Sequence, residues 1–322
     1  MLKTFEQTAA LIAEHKLLHI SGAEALLRKL PSGNWIGGST EYFLDESGGQ
    51  VRNDALDVLE LGFSEYRFAT YNAHTLPNIT HDAYYNGFSV IILPFDSEVH
   101  RQYAQNAFDY EDIFSKNIVG WIAGINLKAT GQTPVAVNGV SGEVLTDKAA
   151  VLHVSLPEGK IAQLSIVNIF SADAKSPVIT FAEDGFKVKN CFVDGKETIF
   201  ADYIARNNLN TKLPLVGDYS GAGINISVKS VDGDTVHLYA PVFKGIEYRF
   251  ADAIPDYVEA FYGEINEIAN RDSVFACNCI LNFLYGDLEG KNIGGFYGPI
   301  TFGEVAWQLL NQTLVYLQVI DC

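Results

Sequence analysis

Cys277 and Cys279, one residue apart in the run SVFACNCILNF, are the residues of this chain best suited by type to do chemistry. A thiol can ligate a metal, attack as a thiolate or cycle in a redox pair, and each role needs company. Metal ligation is poorly served, because the spacing is C-x-C and neither a second cysteine pair nor a His-x-x-x-His run follows. A nucleophile needs a base, and the candidates His153 and His237 lie far off in the chain. A redox pair competes with the plainer reading of two inert thiols buried after a strand. His74, His81 and His100, with Asp82, match no helix-face pattern, and a loop of solvated polar residues accounts for them. No metal and no cofactor is expected.

A second stretch raises a different chemistry. Residues 293–317 read IGGFYGPITFGEVAWQLLNQTLVYL. Gly294, Gly295 and Gly298 permit positive φ and close backbone approach, so backbone N–H groups could face a cavity lined by Phe296, Tyr297 and Phe302. Glu304 would be the charged group at its rim, since apolar walls with few convergent polar groups make a usual small-molecule site. The alternative is that these glycines serve only tight turns and that the aromatics fill the core. Glu304 discriminates, because an acid between Phe302 and Trp307 needs a partner if buried. Other catalytic signatures are missing: there is no G-x-S-x-G elbow, no P-loop and no H-E-x-x-H. GDYSGAG (217–223) resembles a phosphate loop, but the β-like INISVKSV after it offers no helix N-terminus, so it reads as a turn.

The elements that would position these residues follow from composition and pattern. The chain has 322 residues, 48% hydrophobic and 19% charged, enough for a sizeable core. Its 39 acidic against 22 basic residues argue against a nucleic-acid or anionic-membrane partner. No apolar run approaches the roughly 20 residues of a membrane span, and the N-terminus lacks a signal peptide's apolar core. A cytoplasmic protein with reduced thiols is expected.

Thr4 with Gln7, and Ser21 with Glu24, have capping-box spacing, predicting two short helices in the first thirty residues. Short β-like runs then dominate, at 87–95, 150–156, 164–170, 223–231 and 235–243, with an Asp-Gly hairpin at 231–234. Helical patterns return at 97–117, 195–207 and 255–270. The mixture predicts an α+β (mixed α/β) fold: two halves with large, mostly antiparallel sheets flanked by a few helices. The boundary is placed in the turn-rich segment 181–198, giving halves of 1–184 and 185–322. NWIGGSTEYF (34–43) and NIGGFYGPITF (292–302) form a weak internal echo.

The run from SVFACNCILNF through residue 317 resembles the C-terminal region of the FIST family, a sensory domain of bacterial signalling proteins and some F-box proteins. The matching features are Cys277 or Cys279, Gly295-Phe296-Tyr297, Gly303-Glu304 and Asn311-Gln312-Thr313. VDGKETIFADYIARN (193–207) is similar to the opening of that family's C-terminal half, and NWIGGST (34–40) followed by EYF to the opening of its N-terminal half. The pattern departs where members carry an arginine after the cysteine, since Ile280, Leu281 and Asn282 stand here. The resemblance implies a non-enzymatic, intracellular sensory module that binds a small ligand such as an amino acid or metabolite and reports to a separate signalling partner. The implied ligand residues are Trp35, Gly37, Gly38, Thr40, Glu41, Cys277, Asn278, Cys279, Gly295, Phe296, Tyr297, Glu304 and Asn311. The alternative is an enzyme that uses Cys277 or Cys279 as a thiol nucleophile or redox pair.

Overall fold

The first capping box forms as spaced: the Thr4 side chain accepts from the Gln7 N–H, the Gln7 side chain reaches back, and the helix Phe5–Ala13 follows. The second does not. Ser21 belongs to a strand, Leu18–Gly22, and the short helix Glu24–Leu27 starts after Ala23 with no side-chain cap. The run LHISG is held as a strand by burial on both faces. All five of its residues are buried, and it lies between two strands in the middle of a sheet.

The computed structural model describes residues 1–268 and 272–322. Strand outweighs helix by 41% to 18%, so sheets carry this α+β fold. One six-stranded sheet runs in the order Leu2–Lys3, Leu56–Glu60, Leu18–Gly22, Trp35–Ser39, Ala136–Asn138, Glu143–Leu145. A second runs Gln308–Leu310, Glu304–Ala306, Ile118–Ala123, Gly87–Pro94, Ala149–Ser155, Tyr66–Tyr71. A third runs Lys160–Val167, Leu314–Asp321, Phe275–Cys279, Gly298–Thr301, Tyr42–Asp45, Gly48–Val51. Strands from both sides of the 184/185 boundary therefore share the second and third sheets. A further six-stranded sheet and a three-stranded one, Gly185–Val188, Thr235–Val242, Val228–Asp232, come almost wholly from the later half.

Among the described residues, strand pairs are antiparallel except at three places, apart from one isolated bridge: Leu18–Gly22 with Trp35–Ser39, Gly87–Pro94 with Ile118–Ala123, and Phe275–Cys279 with Gly298–Thr301. The middle pair is joined by the helix Glu98–Asn106, capped by Ser97 through the His100 N–H. This is a parallel strand, helix, strand unit, and both of its strands are buried along their whole length. The helical pattern over 97–117 breaks after Asn106 into single 3-10 turns. That over 195–207 begins as strand Lys196–Ile199 and turns helical at Phe200. The third predicted helix is Tyr257–Asn266, and residues 269 and 270 of that expectation lie outside the described residues. The Asp-Gly hairpin forms, with Asp232 opposite Thr235, and GDYSGAG is the turn between Leu215–Tyr219 and Ala222–Ile226.

Candidate functional site

The carboxy-terminal residues come together as interior. Cys277 and Cys279 share a face of their strand, both buried, and Glu304 is buried beside them. One Glu304 oxygen lies 3.1 Å from Thr301 Oγ1, and the other accepts from the Thr313 hydroxyl at 2.8 Å and the Thr313 N–H at 3.3 Å. Burial outweighs these donors and pushes the acid up to about 8, so it carries its proton at neutral pH. The Thr301 hydroxyl donates to this pair of acceptors, Glu304 Oε1 and the Gly303 carbonyl, each at 3.1 Å. Burial first, and Glu304 second, hold both thiols well above their ordinary range. A thiol so placed is a poor nucleophile.

The candidate bases are elsewhere. His153 bridges Ser89 Oγ at 2.8 Å and Tyr71 OH at 3.0 Å, and Tyr71 donates to Asp82 at 2.6 Å. Burial lowers this histidine to about 4. His237 is in the three-stranded sheet.

The hollow expected at the glycines is filled. Phe296 stacks on Tyr316 with ring centroids 4.2 Å apart, and the Phe302 ring lies against Phe95 and over Gly124. Gly298 is needed because a Cβ there would stand 2.3 Å from the Ala276 carbonyl oxygen, and its φ is +154°. Gly295 also has positive φ. Asn278 accepts from Asn282 Nδ2 at 2.9 Å, and Asn311 is buried with its carbonyl facing Asn225. Tyr297 alone of this group is substantially exposed, on a separate surface hollow with Met1 and Asp57.

The amino-terminal candidates are also packed. Trp35 belongs to a small core with Ile12, Leu18 and Val137. Gly37 and Gly38 let the sheet approach Ile20, Ile92 and Trp121. Glu41 accepts from Asn126 and Gln132 beside a space of about 10 Å3, room for about one water. Thr40 donates to the Ile300 carbonyl at 2.7 Å, and the Tyr42–Asp45 strand pairs with Gly298–Thr301. The two echo segments therefore touch, as neighbours in one sheet.

An open cleft lies elsewhere, at the carboxyl end of the buried parallel strand Gly87–Pro94. Its volume is about 370 Å3, within the range of small-molecule sites. Phe95 and Asp96 form one lip, where the chain leaves the strand, and His100 and Arg101 follow on the first turns of the helix. The opposite wall is the three-stranded sheet, with Phe186, Lys187, Lys229, His237 and Tyr239. Pairing in that sheet is irregular beside His237: between Gly185 and Lys187 the central strand carries the extra residues, and between Val228 and Ser230 the outer strand carries one, Lys229. Bulges of this kind re-aim side chains and gather next to sites. The His100 ring sits 5.6 Å from Phe95 and 5.9 Å from Phe186, giving the cleft an aromatic floor.

A family model matches residues 3–320, nearly the whole chain. The chain belongs to DUF6976, a family of unknown function. No curated protein and no solved structure matches it. The FIST resemblance is thereby corrected. The characters that suggested it, Gly-Phe-Tyr, Gly-Glu and Asn-x-Thr, serve strand crossings, a buried acid and a turn in this DUF6976 chain. Roles carried over from that resemblance stand only where the geometry supports them.

Sequence reasoning on this DUF6976 member passed over Phe95, Phe186, Lys187, Lys229 and Tyr239. One signal was legible: a buried strand (87–94), a capped helix and a second buried strand make a parallel unit, and ligands favour the carboxyl end of such strands. The bulges left no mark in residue type.

Proposed function

We propose that this chain is a small-ligand-binding module whose guest occupies the cleft between the Phe95–Arg101 corner and the three-stranded sheet. The observation that carries the reading is the cleft: concave, floored by aromatic rings and ringed by a few polar groups, at the carboxyl end of a parallel strand. A binding role suits it better than thiol catalysis, because Cys277 and Cys279 are buried and held protonated. A guest touching both walls would fix the helix against the sheet, and a separate partner could read that change at the surface.

A thermal-shift and calorimetric screen of amino acids and other metabolites tests the reading. At least one should stabilise the fold in the concentration-dependent manner of native-state binding, and His237→Trp, which fills the cleft, should abolish that gain. A complete lack of stabilisation, or a gain that survives His237→Trp, would contradict it.

A further inference from the structure

Charge narrows what the cleft accepts. In a chain with 39 acidic and 22 basic residues, Arg101, Lys187 and Lys229 border this one cleft while Asp96 is the one acid that lines it among the described residues. Arg101 is held by Asp96 at 3.1 Å. Lys187 and Lys229 have no ion pair among the described residues, and the Lys229 ammonium stands 4.9 Å from the Phe95 ring centroid. The cleft is thus a cationic spot on an anionic molecule.

His100 fixes the floor. Its Nδ1 accepts the Asp96 N–H at 3.2 Å, which ties the ring to the corner. The side chain is only 3% exposed and its Nε2 is shut off from solvent, so a guest in the open cleft does not reach that nitrogen. The helix Glu98–Asn106 starts at the same corner, with its positive end toward it.

We propose that the guest is a small organic anion, an oxyanion carried on a planar ring: Lys187 and Lys229 receive the oxyanion, and Phe95, Phe186 and Tyr239 hold the ring. This rests on the ligand-binding reading above and names its chemical class.

Calorimetric titration with benzoate, phenyl phosphate, benzyl alcohol, benzylamine and inorganic phosphate tests it. Benzoate or phenyl phosphate should bind roughly tenfold more tightly than benzyl alcohol, with the stronger of the two marking the carboxylate or phosphate source. Their affinity should fall as salt is added, and benzylamine should not bind. The double variant Lys187→Gln/Lys229→Gln alters exposed side chains and should weaken anion binding roughly tenfold with the fold intact. Equal binding of benzyl alcohol or benzylamine, or undiminished anion binding by the lysine variant, would overturn the anion assignment and leave the ligand seat standing. Heat from none of the five would also overturn the anion assignment, and the metabolite screen would then decide the ligand reading separately.

Discussion

Two regions of this molecule hold its reactive side chains, and they differ in what surrounds them. At the carboxy-terminal crossing, Cys277, Cys279 and Glu304 are enclosed by Thr301, Thr313 and packed rings. At the cleft, ordinary surface residues, Lys187, Lys229 and Tyr239, face open space beside a buried histidine. The first region contains the residue types that suggest chemistry and closes over them. The second gains its capacity from two strand irregularities and the end of a parallel strand. Reactivity follows exposure more than residue type.

The largest expected effect would break the claim that the first region is solid. Phe296→Ala should cost about 3–5 kcal/mol of stability, as for a fully buried ring, because Phe296 is 2% exposed and stacked on Tyr316. Chemical denaturation measures it, and a loss below about 1 kcal/mol would mean that space exists there after all.

The next concerns protons. Glu304 keeps its proton up to about 8 in the fold, against 4.5 when unfolded, so its favourable contribution is complete below about pH 4.5 and is lost as pH rises toward 8. Relative to Glu304→Gln, the native chain should lose about 1.4 kcal/mol per pH unit through that window. Parallel slopes for the two proteins between pH 5 and 8 would contradict the buried neutral acid. His19, His100 and His153, each lowered to about 4 by burial, act in the opposite direction. Their contribution is present above about pH 6.5 and is lost as pH falls toward 4.

Thiol labelling sharpens the contrast further. Cys322 is exposed and should react with iodoacetamide in the folded protein, while Cys191, Cys277 and Cys279 should wait for unfolding. Mass spectrometry of the labelled peptides decides it, and native labelling at 277 or 279 would restore the thiol-enzyme reading. The smallest effect belongs to the cleft rim: Lys187→Gln and Lys229→Gln should each change stability by no more than about 0.5 kcal/mol, since both side chains are exposed.

Much of the fold was legible in the sequence, and the reasons are local. Thr4 and Gln7 form the cap their spacing implies, and Asp232 and Gly233 turn the hairpin. The run 87–95 stood out by its branched and aromatic residues, and Gly87–Pro94 is a buried strand. The Ser21–Glu24 capping box failed because two residues at the right spacing say nothing of the strand that holds Ser21. The site was less visible. The glycines at 294–298 hold tight crossings instead of a cavity, and Glu304 found its partners in Thr301 and Thr313, which stand in the same stretch but meet it only when that stretch folds back on itself. Lys229 owes its placement to a pairing shift, and Phe186 stands opposite the extra residues of the central strand, so both depend on partner strands far off in sequence.

Backbone amide chemical-shift mapping with phenyl phosphate tests the central claim most directly, because it asks which of the two regions receives a guest. The perturbed amides should fall within 95–101, 186–187, 229 and 237–239. Perturbation centred on 277–279 and 293–304, with the cleft amides unmoved, would contradict it.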